Sequence, residues 1–245
     1  MIEWILGLCI GLFAVMLSYS LAFFVMTKVG DRVLGDYSSS QQWKSNVVIG
    51  PIVITISVII IFLLSSGNLY LWGFTLIGLD HLLVVLVFGT LLAVCVLSVS
   101  EHYSPSPPDS ARDGRRYFLL IVVIASTSEE LLFRGVVQNV IDYSLMVSLQ
   151  LGYVSITSGA LTSALVFALL HSVPAKSMGV SPVFLVVSSL FLGLAAGVAF
   201  TETASLIAPI LVHALFNSVG FVVTRRQGSG NTSDASDGFD DKVAE

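Results

Sequence analysis

Charge is scarce in this chain. Only 11% of its 245 residues are charged, against roughly 25% in a soluble domain, and 55% are hydrophobic. With a mean hydropathy of +0.92, that shortage excludes an ordinary soluble globule and points to a polytopic membrane protein. Basic residues are few and, with one exception, confined to short connections, which excludes nucleic acid as a partner. Cysteine is nearly absent: Cys9 and Cys95 sit in apolar runs without CxxC or Cys/His spacing. Neither a disulfide framework nor a thiolate metal site is available, and both are expected to be small buried hydrophobes. A positive n-region is also lacking, since Glu3 is the only early charge, so the first apolar run is expected to stay as a helix. No long-period repeat and no soluble domain is found. The net charge of −5 is mostly that of the end, where Asp234, Asp237, Asp240, Asp241 and Glu245 outweigh Lys242. Residues 225–245 therefore read as a disordered, acidic tail.

What is plentiful is long apolar runs. They cover 2–26, 46–65, 80–99, 116–141, 154–172, 181–200 and 204–224, which makes about seven spanning helices in an all-α bundle. Residues 68–79 either extend the third helix or lie in the interface, with Tyr70, Trp72 and Phe74 at headgroup level. Loop charge tests the count independently. Lys28, Arg32, Lys44, Arg112, Arg115, Arg116, Lys176, Arg225 and Arg226 all fall on one side of a seven-span topology. The opposite connections, 66–79, 142–153 and 201–203, hold no Lys or Arg. By the positive-inside rule the N-terminus is outside and the C-terminus cytoplasmic, in a multi-pass protein of the cell membrane. Pro105, Pro107 and Pro108 suit a stiff connector in the second basic loop. Gly193 and Gly197 in the sixth helix permit close helix approach, which is ordinary membrane packing.

Against this background the stretch Ser128-Glu129-Glu130-Leu131-Leu132-Phe133-Arg134-Gly135 stands out. Each charge at the centre of a span costs about 2.5–3.5 kcal/mol on insertion scales, so three within six positions mark function. Glu130 and Arg134 are spaced i,i+4 and can pair, while Glu129 is turned about 100° around the axis, free to meet other helices. The fifth run contains Phe167-Ala-Leu-Leu-His171 and the seventh His213-Ala-Leu-Phe-Asn217, each pair sharing a helix face. Taken singly, an intramembrane His or Asn is as often a packing residue as a catalyst, a Glu–Arg pair is often structural, and Phe167 is core. Their co-occurrence on three helices favours a site. A carboxylate, two imidazoles and an amide in a wet intramembrane cavity suit hydrolysis. Asp80 and His81, Asp142 and Glu202 fall at outer helix ends, where interfacial solvation accounts for them.

These three motifs resemble those of the CAAX protease and bacteriocin-processing (CPBP, or Abi) family, which includes type II CAAX prenyl endopeptidases. That family shows EExxxR, FxxxH and HxxxN/D in this order, here Glu129-Glu130-x-x-x-Arg134, Phe167-x-x-x-His171 and His213-x-x-x-Asn217. The resemblance covers about residues 116–224 as a catalytic core, with residues 1–115 as additional helices and a basic loop. It implies an intramembrane endopeptidase acting on membrane-associated or prenylated proteins. Glu129 would activate water with help from His171, His213 and Asn217 would bind the oxyanion, and Glu130 with Arg134 would support the site. No cofactor is favoured. Zinc on Glu129, His171 and His213 is the alternative, and the choice stays open, although the sequence has no HExxH. GxSG and GxGD, the marks of serine and aspartyl intramembrane proteases, are also missing. A proton-coupled transporter and a non-cleaving scaffold or immunity protein are the rival functions.

Overall fold

In hydrocarbon every backbone N–H and C=O must find its partner within its own segment, so long apolar runs fold as helices. A computed structural model describes residues 2–34, 43–98, 111–152, 154–178 and 181–230. The helices are α1 (Ile2–Leu34), α2 (Asn46–Leu64), α3 (Leu79–Ser98), α4 (111–144), α5 (Ser158–Met178), α6 (Pro182–Thr203) and α7 (Ile207–Gly230). Four stretches are by themselves long and apolar enough to cross a bilayer: Ile2–Gly30, Trp43–Leu64, Leu79–Val96 and Pro182–Thr203. Ser158–Val173 and Ile207–Val223 are apolar but shorter.

The central element is α4, and it is not a uniform α-helix. Its winding loosens to π over Phe118–Ala125, returns to α over Ser126–Glu130, and loosens again over Leu131–Gln138 before closing as α over Asn139–Ser144. π turns inside helices gather at functional sites, and nothing in the apolar sequence announces these two. From Leu131 to Ile141 every residue of α4 is buried, because α1, α2, α5 and α6 surround it. A helix enclosed by protein on all sides can carry polar groups where one facing lipid could not.

Several expectations need correction. Residues 154–157 do not begin the fifth helix. Val154–Thr157 pairs antiparallel with Ser148–Leu151, with Ser148 opposite Thr157, so the bundle is not purely α. Asp142 and Glu202 are not merely solvated helix ends. Asp142 accepts hydrogen bonds from Gly159 N at 2.7 Å and Thr157 Oγ1 at 2.8 Å, satisfying donors that the start of α5 leaves open. Glu202 accepts from Ser155 N at 2.8 Å and ties the hairpin to α6. Cys9 and Cys95 are exposed on the outer surface of the bundle rather than buried. Residues 225–230 continue α7 as helix. The remainder of the acidic tail and the three prolines of the basic loop lie outside the described residues.

Residues 68–79 do not extend α3. Leu69–Trp72 forms a 3₁₀ turn ending at Gly73, whose φ of +92° suits glycine, and a side chain there would strike Phe200. The Gly73 carbonyl accepts from Leu206 N at 2.8 Å. Thr75 Oγ1 donates to the Ala204 carbonyl at 2.8 Å, and Ser205 Oγ to the Thr75 carbonyl at 2.7 Å. The segment thus closes the corner between α6 and α7. Tyr70 and Phe74 are exposed, whereas Trp72 turns inward and stacks on Tyr143 at 5.6 Å between ring centroids.

Gly193 and Gly197 do more than permit close packing. They bring α6 against Ala164 and Ala160 of α5, and their carbonyls accept from Arg134 Nη2 at 2.6 Å and Gln138 Nε2 at 3.1 Å. Both partners are spaced i,i+4, so the two helices lock at matching intervals. A Cβ at Gly197 would stand 3.0 Å from Ala160 Cβ and 3.2 Å from Gln138 Oε1. Gly197→Val is accordingly expected to destabilise the protein by about 1–3 kcal/mol, the range for overpacking a filled interior. Thermal unfolding of both forms in the same detergent checks this, and an unchanged midpoint would contradict the close contact.

Candidate active site

The site begins with the one arginine that is buried among the described residues. Arg134 is fully buried, as is Glu130 one turn before it, and their Nη1 and Oε2 atoms are 3.1 Å apart. This contact is an ion pair without the alignment of a hydrogen bond, since neither atom has a hydrogen-bond partner among the described residues. The guanidinium also donates through Nη2 to Gly193 and lies over the Phe167 ring, with Cζ 5.3 Å from the centroid. Charge pairing, a carbonyl and a ring face together hold it.

The expected pairing of Glu130 with Arg134 is present, and Glu130 makes a further contact. Its second oxygen, Oε1, lies 2.7 Å from His213 Nδ1. A carboxylate already paired with Arg134 only accepts, so His213 donates through Nδ1 and turns Nε2 the other way. His171 is fixed the same way. Its Nδ1 lies 2.9 Å from the Phe167 carbonyl, which can only accept, and its Nε2 faces inward.

Both Nε2 atoms face the same oxygen. Glu129 Oε2 is 4.0 Å from His171 Nε2 and 3.8 Å from His213 Nε2. The sequence-predicted residues of α4, α5 and α7 therefore meet at one atom. Exposure then separates the two neighbouring carboxylates. The side chains of Glu129 and His171 are 20% and 27% accessible, against none for Glu130 and Arg134. Glu129 is open to the exterior of the protein and Glu130 is sealed from it. Phe167, read from sequence as plain core, is buried but also walls the site, with its centroid 4.3 Å from the His171 ring and 5.8 Å from that of His213.

Asn217 sits one turn beyond His213 and is tied back to α4. Its Nδ2 donates to Ser126 Oγ at 3.0 Å and to the Ile121 carbonyl at 3.3 Å. Ser126, buried three residues before Glu129, went unnoticed in the sequence because a lone serine in an apolar helix carries no signal.

Glu129, His171 and His213 have the chemistry of a two-His, one-carboxylate zinc set. Each imidazole even has the outer hydrogen bond that metal-binding histidines make. The spacing does not fit. Ligands about 2.0–2.1 Å from a tetrahedral zinc stand about 3.4 Å from each other, less than the 3.8 and 4.0 Å here. Among the described residues no group of three or more His, Cys, Asp or Glu is arranged to hold a metal ion.

Removing Glu130 leaves a buried guanidinium without its counter-charge. Glu130→Ala is expected to destabilise the protein by about 3–5 kcal/mol, whereas exchanging both Glu130 and Arg134 for leucine recovers much of that loss. Denaturation in detergent micelles measures both variants, and a double variant weaker than Glu130→Ala would contradict this account.

With the geometry in place, comparison with known proteins adds one finding. A family model described as type II CAAX prenyl endopeptidase Rce1-like matches residues 115–219. Curated proteins and solved structures gave no match. The matched residues include Glu129, Glu130, Arg134, His171, His213 and Asn217, and over this segment the chain is similar to the Rce1-like type II CAAX prenyl endopeptidases.

Proposed function

We propose that the protein is an intramembrane endopeptidase with seven spans, N-terminus outside and C-terminus cytoplasmic. In this reading it hydrolyses a peptide bond of a membrane-associated or prenylated, CAAX-type protein with water activated by Glu129. The observation that carries this reading is the convergence of two imidazole Nε2 atoms on Glu129 Oε2, the accessible one of two adjacent carboxylates. A water donating to Glu129 Oε2 and to one of the two Nε2 atoms at about 2.8 Å would subtend an angle of about 90° across that gap, which ordinary hydrogen bonding allows.

In the reaction the water oxygen forms a bond to the substrate carbonyl carbon while Glu129 takes a proton from it, with His171 orienting the water. Negative charge develops on the carbonyl oxygen. His213 can donate there only once Nε2 is protonated, and Glu130, anchored by Arg134, stabilises the resulting imidazolium through Nδ1. Asn217 joins by releasing the longer of its two bonds to α4, that to Ile121. Collapse then breaks the C–N bond, and the proton held by Glu129 passes to the leaving amine. Every step uses side chains of this chain, without a metal.

Full-length protein in detergent, offered a library of prenylated and transmembrane peptides, tests the proposal. Glu129→Gln is expected to lower kcat by about 10²–10⁴, the range for losing a positioned base. Equal cleavage by both forms would sink the role of Glu129. Chelation is expected to leave activity intact. Loss on chelation that zinc restores would transfer the reading to the zinc set.

A further inference from the structure

α7 is pinned to α4 at two points. His213 Nδ1 lies 2.7 Å from Glu130 Oε1, and one turn further along α7, Asn217 Nδ2 donates to Ser126 Oγ at 3.0 Å. The intervals match. His213 and Asn217 are four residues apart on one helix, and so are Glu130 and Ser126 on the other. Ser126–Glu130 is also the stretch of α4 that winds as regular α between its two π stretches. Four residues make about one turn there as they do in α7, so both pins close together.

The second pin is a closed triangle. Asn217 Nδ2 also donates to the Ile121 carbonyl at 3.3 Å, and Ser126 Oγ donates to that same carbonyl at 3.4 Å. Chemistry fixes the direction of each bond. A carbonyl only accepts, so the amide turns its nitrogen toward α4, and the single hydroxyl hydrogen of Ser126 goes to Ile121 while its oxygen accepts from Asn217. Ser126 is fully buried and Asn217 half-buried, at the edge of the site. Stabilising an oxyanion asks the amide to turn one N–H away from Ile121. At this triangle that turn strands nothing. Ser126 Oγ keeps hold of the amide nitrogen, and its own hydrogen stays on the Ile121 carbonyl, where it draws closer once the competing donor leaves. Alanine at 126 would do neither: Asn217 would hang on Ile121 alone, and turning would detach it from α4.

We infer that Ser126 is a positioning residue for the reaction: it holds the Asn217 amide on α4 while one N–H swings from the Ile121 carbonyl to the oxyanion. This inference rests on the peptidase reading above. Ser126 acts through Asn217, since among the described residues its hydroxyl bonds only to Asn217 and Ile121. Its place where the first π stretch ends lets it reach back five residues to a carbonyl inside that stretch.

The test uses full-length protein in nanodiscs with a farnesylated CAAX-type peptide and its phosphinate analogue, which mimics the tetrahedral oxyanion. Ser126→Ala is expected to lower kcat about tenfold with KM within a factor of two, the loss of one hydrogen bond. It should weaken the phosphinate while leaving the parent peptide's affinity unchanged. Asn217→Ala is expected to lose about 10²–10³ in kcat, and adding Ser126→Ala to it should lose nothing more, because the group that Ser126 holds is gone. Wild-type kcat in Ser126→Ala or in Asn217→Ala, or the same tenfold loss with and without Asn217, would overturn the positioning role. Full activity of Glu129→Gln would overturn the base assignment instead. If neither probe is cleaved or bound, the side-chain amide signals of Asn217 decide, identified in ¹⁵N-asparagine-labelled protein by their loss in Asn217→Ala. In Ser126→Ala they are expected to shift and to exchange faster with water, and signals that stay put end the proposal.

Discussion

The pairing of Arg134 with Glu130 in a medium of low dielectric governs the rest of the structure. An isolated charge there is costly, and each partner is tolerable only beside the other. Because the pair must be shielded from lipid, α4 is enclosed by other helices over Leu131–Ile141. Because the guanidinium needs a carbonyl within reach, α6 presents Gly193, whose missing side chain lets the backbone approach. The second oxygen of Glu130, left over from the pair, fixes the tautomer of His213 on α7. One electrostatic requirement thus positions three helices.

That arrangement also lets two consecutive glutamates do different work. Sequence neighbours on a helix point about 100° apart, and here one direction leads into the sealed interior and the other toward an opening. Glu130 is sealed from the protein's exterior and Glu129 is open to it. Identical side chains thus acquire distinct surroundings from burial alone, the device that separates paired carboxylates in known hydrolytic sites.

Much of this was legible in the sequence, for physical reasons that can be named. Charges are so expensive in a span that Glu129, Glu130, Arg134, His171 and His213 announce themselves against an apolar background, and their spacings give the shared faces. Apolar runs gave the helices. What stayed hidden depends on contacts rather than on composition. Trp72 turns inward because Tyr143 at the end of α4 offers a ring to stack on, and Asp142 caps α5 because a hairpin folds back on it. Cys9 and Cys95 reversed the expectation because an apolar residue in a membrane helix faces lipid as comfortably as protein. Ser126 carries no charge, so its sequence signal is no stronger than that of any other serine.

The two loosened stretches of α4 stand directly before and after Ser126–Glu130. Regular α winding turns about 100° per residue, so gaining or losing one position between these stretches would swing everything beyond it by that angle. Arg134 would then leave Gly193, and Gln138 would leave Gly197. A change in the length of this helix cannot be absorbed, so drift by single-residue insertion or deletion is closed to α4.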